Sequence, residues 1–421
     1  MTGSLIPHCN ICGLMCAINM YTLRNATGDP TDCSRLAQWH SQNSLLKVAI
    51  DDSSLSPMNS ELRKLLENLQ LGKRTLIWLD ACDVQTARSA VHLAKNIGAT
   101  VHIGESAGSH ALKSVMASEG WMGTTLSEVA ARAGLVITLG DSIIDRAPLI
   151  AKRFFRSSTR ATSPYWLHLS ANETSRKHFD PAHIPHEFIN VPREEWFNWF
   201  TQLTLKLHPD GPDLENAFAN APALESASAV ANALRSTEHS VWLWDVDELH
   251  CGTDELIIRR LLTIARTLAE TSRCSLLPLE MNVGRTTAEE TLLWLTGCTT
   301  TVSFTDGKWQ SPMRYSGYSL EEWQASFHSI LIVSNLHNSQ PLPNLRATLT
   351  LQTNPALRGH ELQVKAVGLT DSGHLFRGDR GTVHFLPAIK SIALPSAATV
   401  LTYLAQQQFE SKVEANNAAG T

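Results

Sequence analysis

Cys9-x-x-Cys12-x-x-x-Cys16, followed by Cys33, is the pattern with the most explicit chemistry in this 421-residue chain, and it holds four of the eight cysteines. Two or three residues between thiolates let one short loop present several sulfurs to a point, and a later cysteine closes a tetrahedron. Iron–sulfur clusters are held this way, and so is structural zinc. The expected ligands are therefore Cys9, Cys12, Cys16 and Cys33, for a 4Fe-4S cluster or a structural zinc; the plain alternative is a reduced cysteine cap. Cys82, Cys251, Cys274 and Cys298 lie in or beside apolar runs and read as buried small hydrophobes.

A second pattern is Gly104-Glu-Ser106-Ala-Gly108, which matches the Gly-x-Ser-x-Gly nucleophile elbow and falls between an expected strand and an expected helix. A serine hydrolase would also need a histidine base, an orienting acid and two oxyanion donors. The chain has 17 histidines but no His-Gly-Gly segment. The plain reading is a strand-to-helix turn whose glycines permit close packing. Asp80 and Asp141 each follow an apolar run, at the strand end where open α/β sheets bind ligands; as single acids there they read first as helix N-caps. Arg377-Gly-Asp-Arg380 reads as a polar turn, and Trp196, Phe197, Trp199 and Phe200 as a helix packing face.

The elements that must position these residues alternate. Expected strands at 75–79, 100–103, 135–139, 165–169 and 188–191 alternate with helices at 83–97, after 108 and at 146–155. A second run follows, with strands at 241–244, 275–279 and 329–333 and helices at 254–270 and 286–295. This rhythm predicts an α/β fold of doubly wound, parallel-sheet domains behind a small cysteine-rich cap. The expected organisation is a cap over 1–50, a first α/β domain over 51–208 and a helical connector over 209–236. A second α/β domain over 237–345 and a β-rich segment with a C-terminal helix over 346–421 complete the core.

Acidic residues number 40 against 35 basic ones, for a net charge of −5, which gives no electrostatic reason to expect nucleic acid. No apolar stretch reaches the roughly 18–20 residues of a membrane span. Too few residues precede Cys9 for a signal peptide, so the expectation is a reducing cytoplasm, where disulfides are rare.

The quartet with Cys12-Gly-Leu-Met-Cys16-Ala-Ile18 resembles the cluster segment in the B subunit of formylmethanofuran dehydrogenase, of the molybdopterin oxidoreductase large-subunit superfamily. The likeness continues through Gly123–Val129, Leu135–Gly140, Asn282-Val-Gly284, Leu295-Thr-Gly297, Val302-Ser-Phe304 and Pro312–Tyr315. Gly368-Leu369, Ser372-Gly373, Phe376-Arg377 and Asp379 resemble that family's Gly-Thr-Ala-Tyr-Arg-x-Asp segment. The pieces span most of the chain. Two departures stand against them. Family members carry a metal-ligating cysteine or selenocysteine, then His-Gly, where this chain reads Ser106-Ala-Gly108. Their Gly-x-Asn-Pro pterin loop aligns with Gly140-Asp141-Ser-Ile143.

That combination resembles the B subunit of the formyltransferase/hydrolase complex of methylotrophic bacteria. The resemblance implies a non-catalytic scaffold, with Ser106 at the former pterin-ligand position, Gly140 and Asp141 in a degenerate pterin loop, and no molybdopterin. It implies partners too: the hydrolase (A), formyltransferase (D) and C subunits of an assembly converting formyl-tetrahydromethanopterin to formate through a formyl-furan carrier. An active molybdopterin or tungstopterin oxidoreductase using Ser106 as metal ligand, and a serine hydrolase using Ser106, are the alternatives.

Overall fold

The computed structural model describes residues 8–19, 24–25, 33–42, 60–151, 164–169, 185–208, 222–249, 252–305, 325–336, 347–353 and 361–419. Cys251 and the Pro312–Tyr315 segment lie outside them. The first strands are a short antiparallel pair, β1 (Ile18–Asn19) against β2 (Arg24–Asn25). Then come β3 (Thr75–Ala81), β4 (Thr100–Ile103), β5 (Leu135–Leu139), β6 (Tyr165–Leu169), β7 (His186–Ile189), β8 (His239–Asp245) and β9 (Arg273–Leu279). β10 (Thr301–Ser303), β11 (Ser329–Ser334), β12 (Leu349–Gln352), β13 (Glu361–Gln363), β14 (Gly373–Phe376) and β15 (Val383–Leu386) follow.

These strands build two main sheets, as the alternating rhythm predicts. The first runs β10-β4-β3-β11-β12-β13, parallel except for β10 on β4. The second runs β7-β6-β5-β8-β9 and is parallel throughout. Parallel strands need crossovers that cover both faces, so the strands are buried nearly end to end. Every residue of β5, β8 and β11 is buried.

Alternation along each strand assigns the faces. In the second sheet, Leu135, Ile137, Leu139, Trp242 and Trp244 pack on helices Trp196–Leu207, Pro222–Arg235 and Asp254–Leu268. Val136, Trp166, Val241 and Leu243 point the other way, onto helix Leu126–Arg132 and onto Cys12 and Leu14 of the cysteine loop. Trp196, Trp199 and Phe200 are fully buried, so the aromatic group is a core face as expected. Each large ring removes roughly 200 Å² from water, on the order of 5 kcal/mol gross. In the first sheet, Ile77, Leu79, Val101, Leu331 and Val333 pack on helices Val84–Ile97 and Ala397–Ala419.

The chain enters the first sheet with β3 and β4, builds the whole second sheet from β5 to β9, and returns to the first with β10 to β13. Segments 51–208 and 237–345 therefore each give strands to both sheets. The 209–236 stretch lies between two strands of the second sheet, and its helix buries Ala227, Val230, Ala231 and Leu234 in that sheet's core. A short helix, Ser142–Arg146, precedes the one expected at 146–155; helical residues resume at Ile150 and Ala151, and 152–155 lie outside the described residues. The C-terminal helix spans Ala397–Ala419.

Candidate functional site

The cysteine loop is anchored by main-chain bonds. Cys9 N–H donates to the Cys16 carbonyl at 2.8 Å and Met15 N–H to the Cys12 carbonyl at 3.3 Å. Gly378 N–H donates to the Gly13 carbonyl and Glu280 N–H to the Gly378 carbonyl, both at 3.0 Å. The loop is thus tied to the end of β9 and to the β14–β15 turn. Cys9, Cys12 and Cys33 are buried and Cys16 is half-buried.

Burial pushes the Cys9 thiol well up, and the neighbouring Cys12, Cys16 and Cys33 raise it further, so the four sulfurs share one electrostatic neighbourhood. Burial takes Cys12 up to about 11, against the lowering effect of Arg35 and Arg146. Thiols in such surroundings stay protonated without a cation to favour the thiolate. The donor chemistry suits iron–sulfur or zinc. The positions are not drawn to one point: among the described residues no three His, Cys, Asp or Glu side chains converge as a metal site. His8 packs against His384, with ring centroids 4.6 Å apart.

Ser106 caps the helix Ala107–Glu119, its hydroxyl accepting from Ser109 N–H at 3.2 Å. The same hydroxyl lies near enough to Asp247 to favour its ionised form. Its backbone is ordinary extended chain, φ −81° and ψ 163°, not the strained turn of a nucleophile elbow. The two nearest histidines in sequence are engaged elsewhere: His102 Nδ1 with Thr301 Oγ1 at 2.8 Å, and His110 Nδ1 with Glu105 at 3.0 Å. The tight-packing reading of this turn holds, since a Cβ on Gly108 would lie 2.0 Å from the Val246 carbonyl oxygen.

Gly140 and Ser142, on either side of Asp141, meet the same acidic turn. Asp141 occupies the N-cap position of helix Ser142–Arg146 but makes no side-chain cap bond. Gly140 has φ +67°, and a Cβ there would lie 2.2 Å from the Glu248 carboxyl carbon. The Glu248 carboxylate accepts from Ser142 N–H at 2.9 Å and pairs with Arg193. Asp245 accepts from Ser142 Oγ at 2.5 Å and from Arg146 at 2.7 Å, and Asp247 accepts from Arg146 at 2.8 Å. Asp245, Asp247 and Glu248 therefore occupy the space between the Ser106 and Gly140 turns. Burial raises the Asp245 carboxyl despite Arg146. Asp247 is held below its usual range, because the nearby Ser106 hydroxyl and the Arg146 guanidinium together outweigh burial.

A second layer of charge lies beside the first. Arg285 stands 3.9 Å from Asp247 and 3.8 Å from Glu280, and it also opposes the rise that burial causes at Asp80. Burial lifts Glu280 to about 7. Farther out, Glu289 pairs with Lys113 at 2.5 Å and with Arg380 at 2.7 Å. Arg377 grips Asp379 with two bonds, at 2.7 and 2.6 Å, inside the expected polar turn. Such fork-to-carboxylate pairs are strong and directional.

The folded chain therefore brings together three of the residues singled out by sequence, Ser106, Gly140 and Asp141, with the cysteine loop alongside through Cys12 and Arg146. Asp245, Asp247, Glu248, Glu280, Arg146 and Arg285 have no motif of their own. The one legible signal is Asp245-Val-Asp-Glu248, three acids directly after an apolar strand. Asp80 is not a cap: β3 runs on to Ala81, and the cap is Asp83, which accepts from Gln85 and Thr86 N–H at 3.1 Å each.

No helix among the described residues is long and apolar enough to cross a membrane. No family model and no curated protein matches the chain. Among solved structures it is similar to a chain of the formyltransferase/hydrolase complex (FhcABCD) from Methylorubrum extorquens, an X-ray crystal structure in complex with methylofuran. The identity is 18%, the TM-score 0.67, and the match covers 87% of this chain and 99% of that one. At that identity the likeness establishes a shared fold over nearly the whole length.

Proposed function

We propose that this chain is the B subunit of a formyltransferase/hydrolase complex and serves it as a scaffold without an active site of its own. Its partners in this reading are the hydrolase (A), formyltransferase (D) and C subunits. The assembly carries a formyl group from tetrahydromethanopterin to a furan-type carrier and releases formate. The observation that carries the reading is the occupied space at Gly140. The Glu248 carboxylate lies where a ligand would approach that loop, fixed by Ser142 N–H and Arg193. Ser106 is engaged as a helix cap. Likeness of fold to a chain of FhcABCD supports the same assignment.

The test is isolation through a tag on this chain, with subunits identified by mass spectrometry and metals by elemental analysis. The reading expects formyltransferase and hydrolase subunits to be recovered, with molybdenum and tungsten far below one per chain. Recovery of neither subunit overturns it, and so does near-stoichiometric molybdenum or tungsten. Fluorophosphonate labelling that disappears in Ser106→Ala would replace it with the hydrolase reading.

A further inference from the structure

Helix Val84–Ile97 carries Arg88, His92 and Lys95 at i, i+4 and i+7, so the three side chains line one face over about 10 Å. All three are exposed and line one groove with Gln85, and none is engaged by a carboxylate of this chain among the described residues. The chain as a whole is acidic, so a groove edge with the two fixed cations Arg88 and Lys95 and no lining carboxylate inverts the local balance. The floor is apolar: Val91 and Phe304 are buried there, and Leu295 is 47% exposed. Leu295 ends an uninterrupted exposed run, Leu293-Trp294-Leu295, in which Trp294 is 68% exposed. One edge of that indole rests on Phe376, with ring centroids 5.1 Å apart, which leaves the rest of it open.

We propose that this groove and the Trp294 edge form a docking site for an acidic, amphipathic segment of a partner protein in the complex. The segment would set carboxylates against Arg88 and Lys95 and an apolar side chain against Leu295 and Trp294. An exposed aromatic anchor beside desolvatable charges is the usual composition of an interface hot spot and its rim. Complementary charge supplies orientation and association rate. The cations are too spread out to close on one small anion. They are too few, on a chain of net charge −5, for a nucleic acid backbone.

The inference rests on the scaffold reading, and the experiment separates the two. The complex is isolated through a tag on this chain as wild type, as Arg88→Glu/Lys95→Glu and as Trp294→Ala. Thermal melts of each purified chain serve as the folding control; these side chains are exposed, so the melts should match. Retention of one subunit should fall by about tenfold or more in the charge-reversed variant and in Trp294→Ala. The wild-type contact should weaken as salt rises. Zero-length carbodiimide coupling of the wild-type complex should join Lys95 to an Asp or Glu of that same subunit. A wild-type complex whose variants keep every subunit at wild-type level overturns the groove alone. So does coupling of Lys95 to a second copy or within its own chain. A wild-type chain that brings down no subunit overturns the scaffold reading and the docking site with it.

Discussion

Glu280 sits at the end of β9 with one carboxyl oxygen accepting Asn282 N–H at 3.0 Å and the other 3.8 Å from Arg285. Burial outweighs that distant cation and lifts its pKa from 4.5 to about 7. The sign of the linkage follows. Between these values the folded protein keeps a proton that the unfolded chain has released, so stability falls as pH rises from about 4.5 to about 7 and then levels off. The whole loss is on the order of 3 kcal/mol. Glu280→Gln keeps the acceptor for Asn282 and removes the ionisation. The variant should therefore lose this downward slope and be the more stable protein at pH 8, as read from urea midpoints across pH. An unchanged slope would mean that Arg285 holds the group ionised. Little of this is visible in the sequence, where Asp80 and Asp245-Val-Asp-Glu248 stand out only as acids after apolar runs and Glu280 does not stand out at all. Ser106 and Gly140 can be singled out because their neighbours form a recognisable pattern. Their partners cannot, because those acids follow strands of two different sheets and only the fold gathers the strand ends.

At the scale of the element, most strands lie where the apolar runs put them, and the differences concentrate at element ends. The run 75–79 predicts a strand stopping before Asp80. Pairing with β11 carries it to Ala81 through a register shift between Val333 and Ser334. Asp80 is thereby moved into the strand, and the cap passes to Asp83. Asn335 then donates its amide to Asp83 at 2.9 Å and to Thr86 at 2.8 Å, tying the start of the helix to the end of β11. Side-chain capping is a local preference, but which of two nearby acids provides it depends on a strand some 250 residues away. Asp83→Ala should cost about 2 kcal/mol, combining a lost cap with a buried amide left short of an acceptor. Asp80→Asn should be neutral or slightly stabilising, since burial already disfavours its charge. Denaturant unfolding of the two variants side by side checks both; an equal loss would return the cap to Asp80.

Across the whole molecule, the alternating rhythm tells what the layers are but not which strand joins which sheet. Each parallel strand is a short apolar run, and such runs look alike whether they continue one sheet or start another. The Ala-rich stretch before β8 reads as a connector because its face is small and weakly patterned, yet it is packed against Trp196–Leu207 in the second sheet's core. The consequence is that no cut between 209 and 221 separates two self-sufficient halves. Such a cut divides β5 from β8 and β3 from β11, the pairings at the middle of the two sheets. Each half would expose apolar strand edges with no replacement partner. Fragments 1–215 and 216–421, expressed singly, should therefore show no cooperative urea transition, whereas the full chain should. Circular dichroism across a urea series makes the comparison. A sharp transition in either fragment alone would mean that its sheet is stable without its central neighbour, and the interleaved order would then have no hold on folding.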